Sequence, residues 1–568
     1  MPDEHQLSDL AREGEALEDA LERIARPMVL DSRAESYLTA LDELRALALA
    51  GALAGRPDAQ LFVAVVANAA TPKDVDLITG LIGQALAAFT ERQQVDGQAV
   101  AWWVRGNVHL ALGDLSAASR AWRRAAELDP GAELIEGLAL ANLAYGSFCE
   151  TGDVEDSLAL ALECASSTLD RSDGRAAGLA LVYAAYFQIL AGRFERAERE
   201  INAAEAAFAS EPTSPYEWPL AYAAQGALLA IRGQAVEADA AFERGVHLAR
   251  EVDNRWYEAI VRTLRADHTV ESDARRAHVD ARWALRVFEE IGDTWFASTA
   301  RRVRAEAALA SGEVEAARLI AEGLLDQLTN PVERGRCLIV VSRSHLRAGD
   351  LAEAAQRADQ AVRSLESTGA TYLLVTALLL LAESDPMRAP DAIERARGLT
   401  TPDPAYTRLW DARPNLRVHV LGRQTVHVGD DLVEFRTTKA EQLVLLLAIA
   451  GGRGIDNERV GHALWPDGDP GKMPSNLSSA AYDARQALGP EAWRLHRASS
   501  QFWLDLDGAF VDLDDAMRRV RRADSDAARR AAIDDLRQEI LPTLVSDRWV
   551  REANSRRDTY LAPLLRAD

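Results

Sequence analysis

Cysteine is rare in this 568-residue chain, with only 3 residues. This scarcity excludes a disulfide framework and is typical of a protein that works in a reducing compartment. No apolar run approaches the ~20 residues that a membrane-spanning helix needs. The polar, acidic N-terminus lacks the pattern of a secretory signal. These absences predict a cytoplasmic protein with no membrane partner.

Positive charge is also in short supply, since 64 Lys and Arg stand against 88 Asp and Glu, a formal net charge of −24. Such a surface as a whole repels nucleic acid and anionic membranes, so any contact with DNA must be local. Lysine occurs only at Lys73, Lys439 and Lys472. The HExxH, CxxC and GxSxG motifs are missing, and residues 468–473 lack the spacing of a phosphate-binding loop. The sequence therefore predicts neither an enzyme nor a cofactor.

Internal repeats dominate the N-terminal two thirds of the chain. The clearest unit runs from Ala101 to Pro130, with small residues at Gly106 and Ala118 and a bulky Trp122. Small residues let two helices approach closely, and the tryptophan fills the space towards the next pair. This unit resembles a tetratricopeptide repeat (TPR).

A turn glycine recurs along this region at a period near 40 residues, and a small residue follows it five positions later. The glycines are Gly113, Gly152, Gly192, Gly233, Gly312 and Gly349, and a degenerate unit has Ser272 at the turn. The small residues are Ala118, Ser157, Ala197, Ala238, Ala277, Ala317 and Ala354. The pattern predicts a helical solenoid over residues 20–395, so we assign residues 1–395 to a TPR-like array.

Such arrays present a concave surface made by the first helix of each pair, which commonly holds a peptide or a protein partner. Candidate lining residues are Trp102, Trp103, Arg105, Tyr145, Tyr186 and Tyr222. The alternative interpretation is that these aromatic side chains only pack between helices.

Residues 396–414 contain three prolines and suggest a short, fairly stiff linker. The periodicity then predicts strands at 416–421, 424–428, 432–435, 493–496 and 502–506. Predicted helices are 440–450, a second one capped by Asp456 that reaches residue 465, and a third from about Ser475 to Gly489. Three strands, three helices and a terminal hairpin are typical of a winged helix-turn-helix, so residues 415–508 are assigned to an α+β domain of this kind.

Several stretches here resemble a known family. "LRVHVLG", "TTKAEQLVLLLAIAGGRGIDNERVGHALWP" and "RQALG" are similar to the winged helix of SARP-type transcription activators. We call the winged-helix part of this chain, residues 415–508, the head. Residues 509–568 look like the start of the helical bacterial transcriptional activation domain (BTAD) that accompanies such a winged helix in this family. The resemblance implies a mainly α protein in which a helical array precedes a DNA-binding domain and a short C-terminal helical domain. It also implies that residues 465–476 and the next helix meet RNA polymerase, although a plain surface loop is the alternative.

DNA reading requires a helix with hydrogen-bonding side chains on its exposed face, together with cations for phosphates. The third helix offers Ser475, Asn476, Ser478, Ser479, Tyr482 and Arg485, with Lys472 just before it. Arg436, Thr438 and Lys439 precede or begin the first helix, and Arg494, His496 and Arg497 belong to the hairpin. We treat these thirteen residues as candidate DNA contacts.

Asp483 departs from the pattern of the family, which commonly has an arginine facing DNA at this place. A carboxylate repels a phosphate-lined groove. It could instead accept a hydrogen bond from a cytosine amino group, or pair with Arg485 or Arg494. Gln486 likewise replaces a frequent basic residue.

Two functions follow. In the first, a transcription regulator senses a partner through the array and binds promoter double-stranded DNA through the head, with a homodimer on direct repeats as one arrangement. In the second, the winged helix has lost DNA reading, and the chain is a protein-interaction adaptor. A helical-repeat enzyme is a distant third.

Overall fold

A computed structural model describes residues 16–30, 40–69, 75–128, 133–171, 173–210, 216–251, 254–385, 387–411, 416–429, 431–506, 508–522 and 526–565. The chain divides into two compact units. The first comprises Met1–Ala377 with Asp403–Ala405, and the second comprises Leu378–Pro402 with Tyr406–Asp568. Among the described residues, no helix is both long enough and apolar enough to cross a bilayer.

The first unit is built from consecutive helices joined by short turns. They are α1 (Leu17–Leu30), α2 (Leu41–Leu49), α3 (Pro57–Ala69), α4 (Val75–Glu91), α5 (Val95–Ala111), α6 (Leu115–Leu128), α7 (Glu133–Thr151), α8 (Val154–Asp170), α9 (Gly174–Leu190), α10 (Phe194–Ala209), α11 (Trp218–Ile231), α12 (Ala235–Glu251), α13 (Arg255–Thr269), α14 (Ala274–Ile291), α15 (Thr294–Ala310), α16 (Val314–Leu325), α17 (Pro331–Arg347), α18 (Leu351–Leu365) and α19 (Thr371–Ser384), which crosses the boundary between the units. From α3 to α18 each helix packs on the next, and the first helices of neighbouring pairs also contact one another. This is a TPR-like helical array.

The turn glycines behave as the spacing predicts. All six have positive φ, between 70° and 87°, a region that glycine enters without a steric penalty. The small residue five positions after each turn, including the one in the degenerate unit, is fully buried. At the clearest repeat, a Cβ on Gly106 would lie 2.4 Å from the Trp122 ring, so the indole rests directly on α5. Its Nε1 donates to Asn107 Oδ1 at 3.0 Å, whereas Pro130 lies outside the described residues.

The array also closes on itself, a feature that the repeat spacing does not predict. Asn330 precedes α17 and accepts hydrogen bonds from the amides of Val332 and Glu333, which caps that helix. Its Nδ2 donates to the carbonyls of Phe148 at 2.7 Å and Cys149 at 3.2 Å, near the end of α7. One buried asparagine therefore joins helix ends that are about 180 residues apart in the sequence. All three cysteines are free and buried.

The second unit combines helices with two small sheets. Its helices are α20 (Ala389–Leu399), α21 (Pro404–Asp411, whose first two residues belong to the first unit), α22 (Thr438–Ile449), α23 (Asn457–Leu464), α24 (Met473–Leu488), α25 (Asp512–Arg522), α26 (Asp526–Leu536) and α27 (Arg548–Leu564). Its strands are β1 (Leu416–His419), β2 (Thr425–Val428), β3 (Asp431–Leu432), β4 (Ile455–Asp456), β5 (Leu495–Arg497), β6 (Gln501–Leu504) and β7 (Phe510–Val511). The first sheet has the order β3-β2-β1-β7, with β7 parallel to β1, and the second has the order β4-β6-β5.

Most of the predicted elements are present at these places, with four differences. The third strand was expected over 432–435 but covers only Asp431–Leu432, so residues 433–435 are not strand, and Trp493 lies in a 3₁₀ helix (Gly489–Arg494) that precedes β5. β4 and β7 were not predicted, because two-residue strands carry no recognisable periodicity and form only where a partner strand is in place. Part of the expected linker, residues 396–414, is helical, since it contains α21.

The described residues between 416 and 506 share one hydrophobic core with those between 508 and 565. Trp549 and Val550 of α27 pack in the same cluster as Leu443 of α22. The Asp512 carboxylate accepts hydrogen bonds from the backbone amides after β1, at 2.9 to 3.0 Å. The amide of Leu541 donates to the carbonyl of Val420 at 2.8 Å. The C-terminal helices therefore pack into the hydrophobic core of the head and do not form a core of their own.

Candidate nucleic-acid interface

Helix α24 carries a row of exposed polar side chains. Ser475, Ser479, Tyr482 and Gln486 are spaced by 3 or 4 residues, which places them on one face of the helix, and all four are exposed. Tyr482 is 61% exposed, unusually high for an aromatic residue. The opposite face, which includes Leu477, packs into the core. We call these four residues the α24 stripe.

Cations and hydroxyls lie near the beginning of α24. Lys472 is exposed and ends the 3₁₀ segment (Pro470–Lys472) that leads into the helix. Asn476 is half-buried, and the hydroxyl of Ser478 donates to the carbonyl of Pro474 at 2.7 Å. A helix N-terminus beside an exposed lysine attracts phosphate.

The start of α22 adjoins the third turn of α24. Thr437 caps α22 and donates its hydroxyl hydrogen to Asp483 Oδ2 at 3.2 Å. Next to this bond, Arg436 and Thr438 are exposed. Lys439 is half-buried, with Nζ 2.8 Å from Gln442 Oε1. This end of α22 and the α24 stripe therefore belong to one region of the surface.

Asp483 does not pair with either arginine considered from the sequence. Arg485 donates through Nε and Nη2 to the carbonyl of Leu495, at 3.2 and 2.7 Å. Burial, followed by the nearby Arg497, lowers the pKa of the Arg485 guanidinium. Because Arg485 holds the hairpin backbone, it is a weaker candidate for a phosphate contact than its sequence position suggests.

The hairpin offers fewer exposed groups than its sequence suggests. Arg494, expected to contact DNA, is only 4% exposed, because it pairs with Glu491 and donates to the carbonyl of Asp505. His496 is half-buried and stacks on Trp503 at 4.8 Å, and burial lowers its pKa. Arg497 is exposed, and its Nη1 donates to Ser478 Oγ at 2.7 Å. Of the three hairpin candidates, Arg497 alone is an exposed cation.

The candidate partner-binding residues of the array lie on successive first helices, as predicted, but much of their surface is used internally. Trp102 and Trp103 pack around the Trp122 cluster, and the Arg105 guanidinium is 5.0 Å from the Trp102 ring centre. Tyr222 is 9% exposed, with Arg244 over its ring at 4.7 Å.

Tyr145 contacts side chains from a distant repeat, and Tyr186 packs edge-on against Phe148 of the neighbouring first helix, with ring centres 5.8 Å apart. Tyr145 stacks on Phe296 at 6.4 Å and accepts a hydrogen bond from Trp295 Nε1 at 3.2 Å, so α15 covers this part of α7. Burial raises the pKa of Tyr186 to about 12, although the charge of Arg336 opposes this shift. These contacts favour packing as the main role of both tyrosines.

A buried charged cluster in the array was not predicted. Arg302, 1% exposed, donates to Asp267 at 2.8 and 3.0 Å and to Glu306 at 2.7 Å. Arg336 also donates to Asp267, at 2.8 Å. Burial would raise the pKa of Asp267, but the two arginines lower it far below its ordinary range, whereas burial raises the pKa of Glu306 to about 7 despite Arg302. Nothing in the local sequence distinguishes these residues from an exposed i,i+4 pair, because their partners come from three different helices.

Comparison with known proteins gives structural similarity only. No protein-family model matches the chain, and no curated protein matches it by sequence. A tetratricopeptide repeat protein from Parabacteroides merdae ATCC 43184 is 16% identical, with a TM-score of 0.28, over 50% of this chain and 98% of that one. The yeast protein Tom70 is 14% identical, with a TM-score of 0.32, over 66% of this chain and 88% of that one. The TPR-like assignment therefore rests on the helix pairs and turn glycines of this chain itself.

Proposed function

We propose that this chain is a transcription regulator that binds promoter DNA through residues 416–506, a winged helix-turn-helix in which α24 is the recognition helix. The observation that carries the proposal is the exposed α24 stripe, flanked by the start of α22 on one side and by the β5–β6 hairpin on the other. Serine, tyrosine and glutamine side chains in such a row suit base edges in a major groove.

Phosphate contacts fall to four cations around the stripe: Arg436, Lys439, Lys472 and Arg497. Their chemistry suits backbone contacts that orient the helix without reading sequence. Arg494 is not part of this proposal, because it is buried in an ion pair. The array would serve as the partner-binding part, and residues 465–476 with the adjoining helix are proposed to meet RNA polymerase.

A protein-interaction adaptor remains a second candidate function. Two observations favour it: the carboxylate of Asp483 lies beside the stripe, and Arg485 is engaged with the hairpin rather than with solvent. A surface with few free cations suits a protein partner as well as a nucleic acid.

Fluorescence anisotropy separates the two functions. The full-length chain is titrated onto a fluorescein-labelled duplex of mixed sequence over a range of salt concentrations. Four phosphate contacts predict a slope of log K against log salt of about −3 to −4. The variant Lys472→Ala should make this slope shallower by about 1, whereas Arg537→Ala, which removes an exposed arginine just after α26, should not change it. Absence of duplex binding, or a slope near zero, would favour the adaptor.

A further inference from the structure

Helix α20 lies against the base of the β5–β6 hairpin within the second unit. Nη1 of Arg397 is 3.2 Å from Oδ2 of Asp505, the residue that follows β6. The same guanidinium is 5.6 Å from the ring centre of Trp493, which lies just before β5, and 6.0 Å from that of Trp410 in α21. One side chain of α20 therefore contacts both ends of the hairpin.

The hairpin base is also closed by its own contacts. The amide of Asp505 donates to the carbonyl of Arg494 at 2.8 Å, and Arg494 Nη1 donates back to the carbonyl of Asp505 at 3.0 Å. The Arg494 guanidinium lies 4.5 Å from the ring centre of Trp493, which is 4% exposed. Trp493 is thus contacted by one guanidinium from the hairpin and by another from α20.

This base is connected directly to the recognition helix. The carbonyl of Leu495, the first residue of β5, accepts both hydrogen bonds from Arg485 of α24. Two residues later, Arg497 donates to Ser478 of α24. A small rotation of the base would therefore change the orientation of the hairpin relative to the α24 stripe.

We propose that Arg397 is a positioning residue for DNA binding: by holding Trp493 and Asp505, it fixes the orientation of the β5–β6 hairpin against α24. The proposal rests on the function proposed above.

The test compares full-length Arg397→Ala with the wild type on the same labelled duplex. A cation–π contact and a partly exposed ion pair together predict about a three- to tenfold loss of affinity. The salt slope should stay the same, because Arg397 orients the hairpin and does not touch phosphate. A phosphate contact would instead make the slope shallower by about 1. Arg397→Lys, which keeps the charge but not the planar group, should recover part of the affinity, and Arg537→Ala should bind as the wild type does.

Hydrogen exchange gives a readout that needs no DNA. In Arg397→Ala, amides of residues 493–505 should exchange faster than in the wild type, while those of α22 should not change. Unchanged exchange in residues 493–505, or a shallower salt slope, would overturn the positioning role. Failure of the wild type to bind any duplex would instead overturn the proposed function, so the two failures are distinct.

Discussion

Aromatic side chains are buried between helices of the array, whereas the exposed face of α24 carries one in contact with solvent. In the array, Tyr145 stacks on a phenylalanine from α15, and the Trp122 ring packs closely against Gly106 of its own repeat. On α24, Tyr482 is 61% exposed. An aromatic ring in solvent contributes little to folding, whereas a buried ring contributes several kcal/mol. The difference teaches that these buried aromatic residues stabilise the array, whereas the ring of Tyr482 is left exposed on the face that we propose binds DNA.

The strongest test of this contrast is a pair of matched truncations. Trp122→Ala should lower the free energy of unfolding of the array by about 3–5 kcal/mol, because it removes a fully buried indole and leaves a cavity. Tyr482→Ala should change it by less than about 0.5 kcal/mol, yet should weaken duplex binding. Urea unfolding followed by circular dichroism, together with anisotropy, measures both effects. Equal losses of stability would remove the distinction between the two regions.

The closure of the array at Asn330 should give the next largest effect. Asn330→Ala removes the cap of α17 and the two bonds to α7, and should cost about 2 kcal/mol. Asn330→Asp keeps the capping acceptor but loses the amide donor. Hydrogen exchange should therefore rise at the end of α7 in both variants, but at the start of α17 only in Asn330→Ala. Protection of α7 that stays unchanged would show that the closure contributes nothing.

The charge at position 483 should affect the affinity of the head for DNA. Asp483→Arg should tighten binding to a duplex of mixed sequence and make the salt slope steeper by about 1, because a cation replaces a repelling carboxylate. Asp534→Arg makes the same change of charge on α26 and controls for the effect of net charge. If both variants bind equally well, the face around Asp483 does not meet DNA.

The smallest expected effect is a change in the stability of the array with pH, because two opposing contributions nearly cancel. Glu306 has its folded-state pKa raised by burial to about 7, so its contribution to stability falls as pH rises from its ordinary 4.5 towards 7. Burial lowers the pKa of His268 to about 4, so its contribution rises between about 4 and 6.5. The two trends oppose each other, and the wild type should respond little over this range. Glu306→Gln should leave the rising trend and His268→Gln the falling one, as urea midpoints measured at several pH values would reveal. A Glu306→Gln profile identical to that of the wild type would contradict this account.

Local patterns were sufficient for most of the helices. The glycine turns and the small residues after them follow from sequence because a left-handed turn and a close helix contact each demand a particular residue type. The α24 stripe follows in the same way, from spacing on a single helix. By contrast, Asn330 reads as an ordinary helix cap before Pro331, and its bonds to α7 depend on a segment about 180 residues away.

The candidate site shows the same limit. Arg494 alternates with apolar neighbours as an exposed strand residue would, but the 3₁₀ turn before β5 places it beside Glu491, and it becomes buried. Arg485 has the spacing of an exposed recognition-helix residue, yet it binds the backbone of the hairpin. For both arginines the sequence shows the positive charge, but it does not predict the group that the side chain binds.

Sequence alone determined most of the helices, the turns of the repeats and the polar character of α24, because each depends mainly on residues that are close in the chain. Tertiary structure decided which partner each side chain has. It determined the contact of Tyr145 with α15, the burial of Arg494 and the contact of Arg397 with the hairpin. These contacts form between surfaces that meet only after folding. Because an unpaired buried charge is costly, a buried charged group needs a partner, and that partner can come from any part of the chain.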